Sequence, residues 1–112
     1  MRHFSFRLMM LAIALCGGLS VSAKTVKAKL FVNGKCEHCK ERIEKTALGI
    51  KGVSAAVWNM DKKQLLLKYN PGKTDTTAIE KALVNVGHDA GNLKASDATY
   101  QALPPCCHYE RK

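Results

Sequence analysis

Residues 26–50 read VKAKLFVNGKCEHCKERIEKTALGI, and a change of period inside them decides the fold. As far as Val32 the apolar residues fall on every second position (Val26, Ala28, Leu30, Val32), the period of a half-buried strand. From Cys39 onward they fall three or four apart (Cys39, Ile43, Ala47, Ile50), the period of a helix, with Glu41, Glu44 and Lys45 toward water. A strand thus runs into a turn, Asn33-Gly34-Lys35-Cys36-Glu37-His38-Cys39-Lys40, and a helix over residues 40–50 runs out of it. The turn carries two thiols spaced Cys-x-x-Cys. Backbone N–H groups at a helix N-terminus favour thiolate over thiol. Thiolate both binds soft metals and attacks disulfides, so two chemistries are open here, beside the plain alternative of an inert disulfide.

Outward from this stretch, residues 53–60 and 64–69 are two further strands, joined across Asp61-Lys62-Lys63 as a hairpin. Asn70-Pro71-Gly72 is a second turn. Asp75 is placed to cap a helix through Val86, with Ile79, Ala82, Leu83 and Val86 on one face and Gly87 ending it. Residues 91–95 form a short last strand. The order is βαββαβ, an α+β ferredoxin-like sandwich whose four-stranded antiparallel sheet carries two helices on one face. Residues 96–112 are a C-terminal extension: a turn or two of helix, an extended Pro104-Pro105, then Cys106-Cys107-His108 on an arm.

Before the first strand, residues 1–23 have the design of a secretory signal peptide. Arg2, His3 and Arg7 precede an apolar core over residues 8–15, and Val21-Ser22-Ala23 supplies small residues at −3 and −1 for cleavage after Ala23. Leu15 argues against lipidation of Cys16, because lipidation sites have a small residue there. The protein is therefore expected to be exported or periplasmic, with a domain over residues 24–95 and the extension beyond. Cleavage takes two of the 18 basic residues and none of the 9 acidic ones, leaving a net charge of +7. The lysines are dispersed and no aromatic platform interleaves them, which excludes nucleic acid as a partner and leaves a solvated basic surface. Four cysteines remain: Cys36, Cys39, Cys106 and Cys107. Trp58 and Met60 read as sheet-face and strand-end packing.

Two thiolates on a strand–helix loop can clasp a soft ion. Cu(I) and Hg(II) accept two sulfurs, whereas Zn(II) wants four ligands and needs others brought in. Lys35 and Lys40 flank the pair and oppose Glu37. Gly34-x-Cys36-x-x-Cys39 after the first strand, Ile50-x-Gly52-Val53 opening the second, Tyr69-x-Pro71 and Val86-Gly87 together resemble the heavy-metal-associated (HMA) domain family. That family includes copper chaperones, metal-ATPase modules and the periplasmic mercury-binding protein. The resemblance runs from about Val26 to Ala95. It implies the ferredoxin-like fold and Cys36 and Cys39 as paired ligands for a transferred ion. Lys35 stands where the family usually has Met, implying a loop less anchored or thiols more exposed. His88 stands where many bacterial members have Tyr; in some copper chaperones a His at that place is an extra ligand, and capping of the second helix is the other reading. His38 points to solvent.

Adjacent cysteines seldom bridge each other, so Cys106 and Cys107, with His108, are metal ligands, exchange thiols, partners of other cysteines or an incidental tail. An arm folded over the loop would complete a three- or four-coordinate site. The candidate metal set is thus Cys36, Cys39, His88, Cys106, Cys107 and His108. The favoured activity is non-enzymatic capture and transfer of a soft ion, Cu(I) or Hg(II) before Zn(II). In it Cys36 engages first, Cys39 closes the chelate, and a metal-transporting membrane protein or ATPase domain exchanges ligands with a monomer. A thiol–disulfide oxidoreductase is the second class, opposed by the early end of the βαββαβ order and by the lack of Trp before Cys36. A metal-sensing adaptor with a basic docking face is the third.

Overall fold

The computed structural model describes residues 24–111, so the expected signal peptide and Cys16 lie outside the described residues. Strand β1 (Val26–Phe31) leads through the thiol loop into helix α1 (Glu37–Leu48), and β2 (Val53–Asn59) and β3 (Gln64–Tyr69) follow as a hairpin. Helix α2 (Thr76–Asn85), a short helix α3 (Asp97–Gln101) and a single 3-10 turn (Pro105–Cys107) complete the chain. Helix α1 begins before the expected residue 40 because Cys36 is itself the N-cap, in extended geometry, and accepts the Lys40 N–H at its carbonyl. Helix α2 starts where the sequence places it: the Asp75 carboxylate accepts the Ala78 N–H at 2.8 Å, satisfying one of the free donors of the first turn.

Among the described residues the sheet has three antiparallel strands in the order β1-β3-β2. Leu30 pairs with Leu65 and Leu65 with Trp58, which fixes the register so that one face is apolar. The expected fourth strand over residues 91–95 does not form. The chain does return alongside β1, but only as a one-residue bridge between Val32 and Ala90, with Asn33 N–H on Asp89 and Gly91 N–H on Phe31. Gly91 then takes a positive φ of 57°, and Ala90 and Leu93 close a tight turn on each other. The Asp89 carboxylate accepts the Ala95 N–H at 2.8 Å, so residues 91–95 curl around that side chain instead of extending.

Leu30, Val32, Trp58, Leu65 and Leu67 from the sheet pack against Cys39, Ile43 and Ala47 of α1 and Ile79 and Leu83 of α2. Each large aliphatic side chain withdrawn in this way contributes about 1.5–3 kcal/mol. Trp58 is the largest buried side chain; its indole N–H donates to the Val32 carbonyl at 3.0 Å, and its backbone N–H to Glu44 of α1 at 2.8 Å. The opposite sheet face is open and carries exposed Phe31, Val57 and Leu66 among Lys27, Lys29 and Lys68. No helix among the described residues is long and apolar enough to cross a membrane.

The extension is not a free arm. Leu103, Cys107 and Tyr109 belong to the same core as the sheet and helices. The Tyr109 hydroxyl accepts the Asp89 N–H at 2.9 Å and donates to the Gly87 carbonyl at 2.7 Å. Arg111 clasps Asp89 with its Nε and Nη2 atoms and also donates to the Ala95 carbonyl. Gly87, at φ 106°, has no room for a side chain: a Cβ there would meet Leu103 and the Thr99 carbonyl at 2.9 Å.

Candidate metal centre

The loop that presents the thiols is anchored from three sides. Gly34 lies against the Trp58 ring, and a Cβ at that position would come within 3.1 Å of both Trp58 and the Cys39 Cβ. Lys63 donates to the Gly34 carbonyl, and the His88 ring holds the Asn33 carbonyl through Nδ1 at 2.8 Å. The loosening implied by Lys35 in place of Met is thus offset by groups that the local sequence does not contain. Lys35 and His38 are exposed, as expected for His38.

Four thiols converge on this loop. Cys36 Sγ lies 3.3 Å from Cys39 Sγ and 3.2 Å from Cys107 Sγ, and Cys107 Sγ lies 3.9 Å from Cys106 Sγ. Cys36, Cys106 and Cys107 have sulfurs all within 4.8 Å of one another. All four cysteines among the described residues are unbridged. A four-coordinate ion with metal–sulfur bonds of about 2.3 Å separates its sulfurs by about 3.8 Å, and a linear two-sulfur clip by about 4.6 Å. All three spacings are shorter than a linear clip requires, and that of Cys106 and Cys107, 3.9 Å, matches the four-coordinate value.

The thiols differ in acidity. Burial would raise Cys36, but the Cys107 thiol, the Cys39 backbone N–H and the Cys39 thiol stabilise its thiolate and bring it down to about 7. Cys39, wholly buried, is pushed up to about 12 by burial and by its neighbour Cys107. Burial also raises Cys107, against the opposing hydrogen bond from the Arg42 guanidinium at 3.3 Å. Arg42 is thus the cation that touches a sulfur. Lys40, one of the two lysines flanking the pair, donates to Glu44 at 2.8 Å and to the Trp58 carbonyl at 3.2 Å.

His88 and His108 are placed differently from the sulfurs. His88 is fully buried, stacked on Tyr109 with ring centroids 5.7 Å apart, and burial lowers its pKa. A neutral ring bound to the Asn33 carbonyl carries its proton on Nδ1, which argues against a cationic cap on α2. Nε2 of His88 is buried without a hydrogen-bond partner, and so is Nε2 of His108, whose ring stacks on Tyr100 at 5.1 Å. Of the six candidate ligands, then, the structure brings the four cysteines together, while each histidine ring rests on a tyrosine. Sequence reasoning did not find Arg42 or Tyr109. Arg42 is visible only as the residue three beyond Cys39 on a helix, and Tyr109 as an aromatic beside the second thiol pair.

A heavy-metal-associated domain model matches residues 29–89. A copper-exporting P-type ATPase of Staphylococcus epidermidis is 38% identical over 82 residues, 72% of this chain but 10% of the ATPase. The chain therefore spans about a tenth of the length of that relative. The copper chaperone CopZ of the same species is 32% identical over 54 residues, 48% of this chain and 79% of CopZ. Among solved structures, the N-terminal domain of a potential copper-translocating P-type ATPase from Bacillus subtilis, in its Cu(I)-loaded state, superposes with a TM-score of 0.58. It shares 28% identity and covers 66% of this chain and 94% of its own length.

Proposed function

Because this chain belongs to the heavy-metal-associated domain family, we propose that it captures a soft metal ion, Cu(I) foremost, and passes it on by thiolate exchange. The observation that carries this reading is the position of Cys36 Sγ, between Cys39 and Cys107 at 3.3 and 3.2 Å. One sulfur shared between the loop pair and the tail pair lets an ion be handed over without ever losing all its ligands. Soft thiolates select Cu(I) and Hg(II) over hard cations, whereas Zn(II) wants four ligands and the group of mutually close sulfurs supplies three. The likeness to copper proteins supports Cu(I) as the first candidate. The acceptor is proposed to be a metal-transporting ATPase or its soluble domain, met outside the cytoplasm once residues 1–23 are removed. The chemistry is ligand exchange, with no substrate bond made or broken.

Anaerobic titration of the reduced protein with Cu(I), Hg(II) and Zn(II) tests the reading. Tight Cu(I) uptake that disappears in the Cys36→Ser, Cys39→Ser double variant is expected; a double variant that binds as tightly as wild type refutes it. The thiolate-forming Cys36 beside Cys39 also favours a second reading, a thiol–disulfide oxidoreductase. Repeated turnover of a disulfide substrate at sub-stoichiometric protein would establish it over the first.

A further inference from the structure

Three of the sulfurs, Cys36, Cys106 and Cys107, lie within 4.8 Å of one another, and Cys39 lies behind Cys36, so the group reaches from solvent into the core. Cys106 is exposed, Cys107 is buried beneath it, Cys36 is half-buried against Cys107, and Cys39 is buried behind Cys36. The outer end of the group is held in place. Pro104 and Pro105 restrict the backbone on one side of Cys106, and Cys107 and Tyr109, both in the core, fix it on the other. A donor or acceptor arriving with thiolates of its own meets Cys106 first. Cys36, the more exposed member of the loop pair, has the Cys107 sulfur lying on it.

We propose that Cys106 is the exchange thiol of this protein. The ion enters and leaves through Cys106, the exposed corner of the Cys36–Cys106–Cys107 group, and passes inward toward Cys36 and Cys39; this rests on the metal-transfer reading above and replaces Cys36 as the first contact. Each step forms one metal–sulfur bond and breaks one. Cys106 gives its proton to solvent and bonds the ion carried by a thiolate donor; one donor thiolate leaves and takes up a proton. Cys107 then displaces the remaining donor thiolate in the same way, and Cys36 displaces Cys106 as the ion moves inward. The oxidation state of the ion does not change. Arg42, on Cys107, is placed to offset the negative charge that accumulates as thiolates gather.

Rate and affinity separate this role from that of a ligand. Reduced wild type, Cys106→Ser, Cys106→Ala and Cys107→Ser are loaded by stopped flow with Cu(I)–glutathione and unloaded to a chromogenic Cu(I) chelator. Equilibrium affinity is measured by competition with the same chelator. Both Cys106 variants are expected to load and also to unload at least about tenfold more slowly, about 1.4 kcal/mol in barrier, whereas loss of a plain ligand speeds unloading. Cys107→Ser is expected to lose affinity instead. Wild-type rates in the Cys106 variants, or a rate loss that merely tracks a loss of affinity, overturn the proposal while leaving metal transfer intact. Failure of the wild type to take up Cu(I) at equilibrium defeats both readings.

Discussion

At Cys36 and Cys39 one loop holds two thiols of opposite character, three residues apart. Cys36 caps α1 and shares its sulfur with a half-open surface, whereas Cys39 points into the core one turn later, which is why burial wins at Cys39 and hydrogen bonding at Cys36. Alkylation of the reduced, metal-free protein with iodoacetamide, mapped to individual cysteines by mass spectrometry, should show this directly. The Cys36 rate should inflect near pH 7, and Cys39 should stay unreactive until about 12. A common inflection for the two would mean that the sulfurs do not share the environments described. The pair, its spacing and the place of Cys39 on the apolar helix face were legible in the sequence; the lowering at Cys36 was not, because it depends on Cys107, 71 residues beyond.

Helix α1 is tied to the sheet by one carboxylate. Glu44 accepts both the Trp58 backbone N–H and the Lys40 ammonium at 2.8 Å. Burial works to raise its pKa, and these two donors outweigh burial and hold it below the usual carboxylate range. The sign follows: the stabilisation is complete above the ordinary range and is lost as pH falls through the lowered value. Denaturant midpoints of wild type should therefore fall in acid, and those of Glu44→Gln should start lower and change less with pH; parallel curves for the two would refute the tie. The strands and helices as far as α2 could be read from period because each has one wet and one dry face. The last strand could not. Asp89 and Gly91 look like ordinary loop residues, and only the structure shows the Asp89 carboxylate collecting Ala95 and Arg111 and so bending the segment.

On the scale of the whole molecule, the extension is a structural part of the domain. It supplies Leu103, Cys107 and Tyr109 to the core, and two further tyrosine-centred contacts hold it: the Tyr100 hydroxyl on the Tyr109 carbonyl at 2.6 Å, and the Arg111 guanidinium over the Tyr100 ring at 4.7 Å. Truncation after Ala95 should accordingly cost stability as well as thiols. Loss of a buried aromatic alone removes about 3–5 kcal/mol, so the urea midpoint should drop well before any question of metal affinity arises. An unchanged midpoint would mark the extension as an appendage. Its role escaped sequence reasoning because a single tyrosine between Cys-Cys-His and Glu-Arg-Lys has no period, and its partners are the backbone of Gly87 and Asp89.

The stitching of Tyr109 into the core has a consequence for competition. Because the packing of Tyr109 holds Cys107 3.2 Å from Cys36, the Cys107 sulfur acts as an intramolecular ligand at an effective concentration of millimolar or more. Free thiols in the surroundings act only at their actual concentration. A bound ion is therefore guarded by prepaid ordering of the chain, and what it yields to is an acceptor able to offer several sulfurs at once.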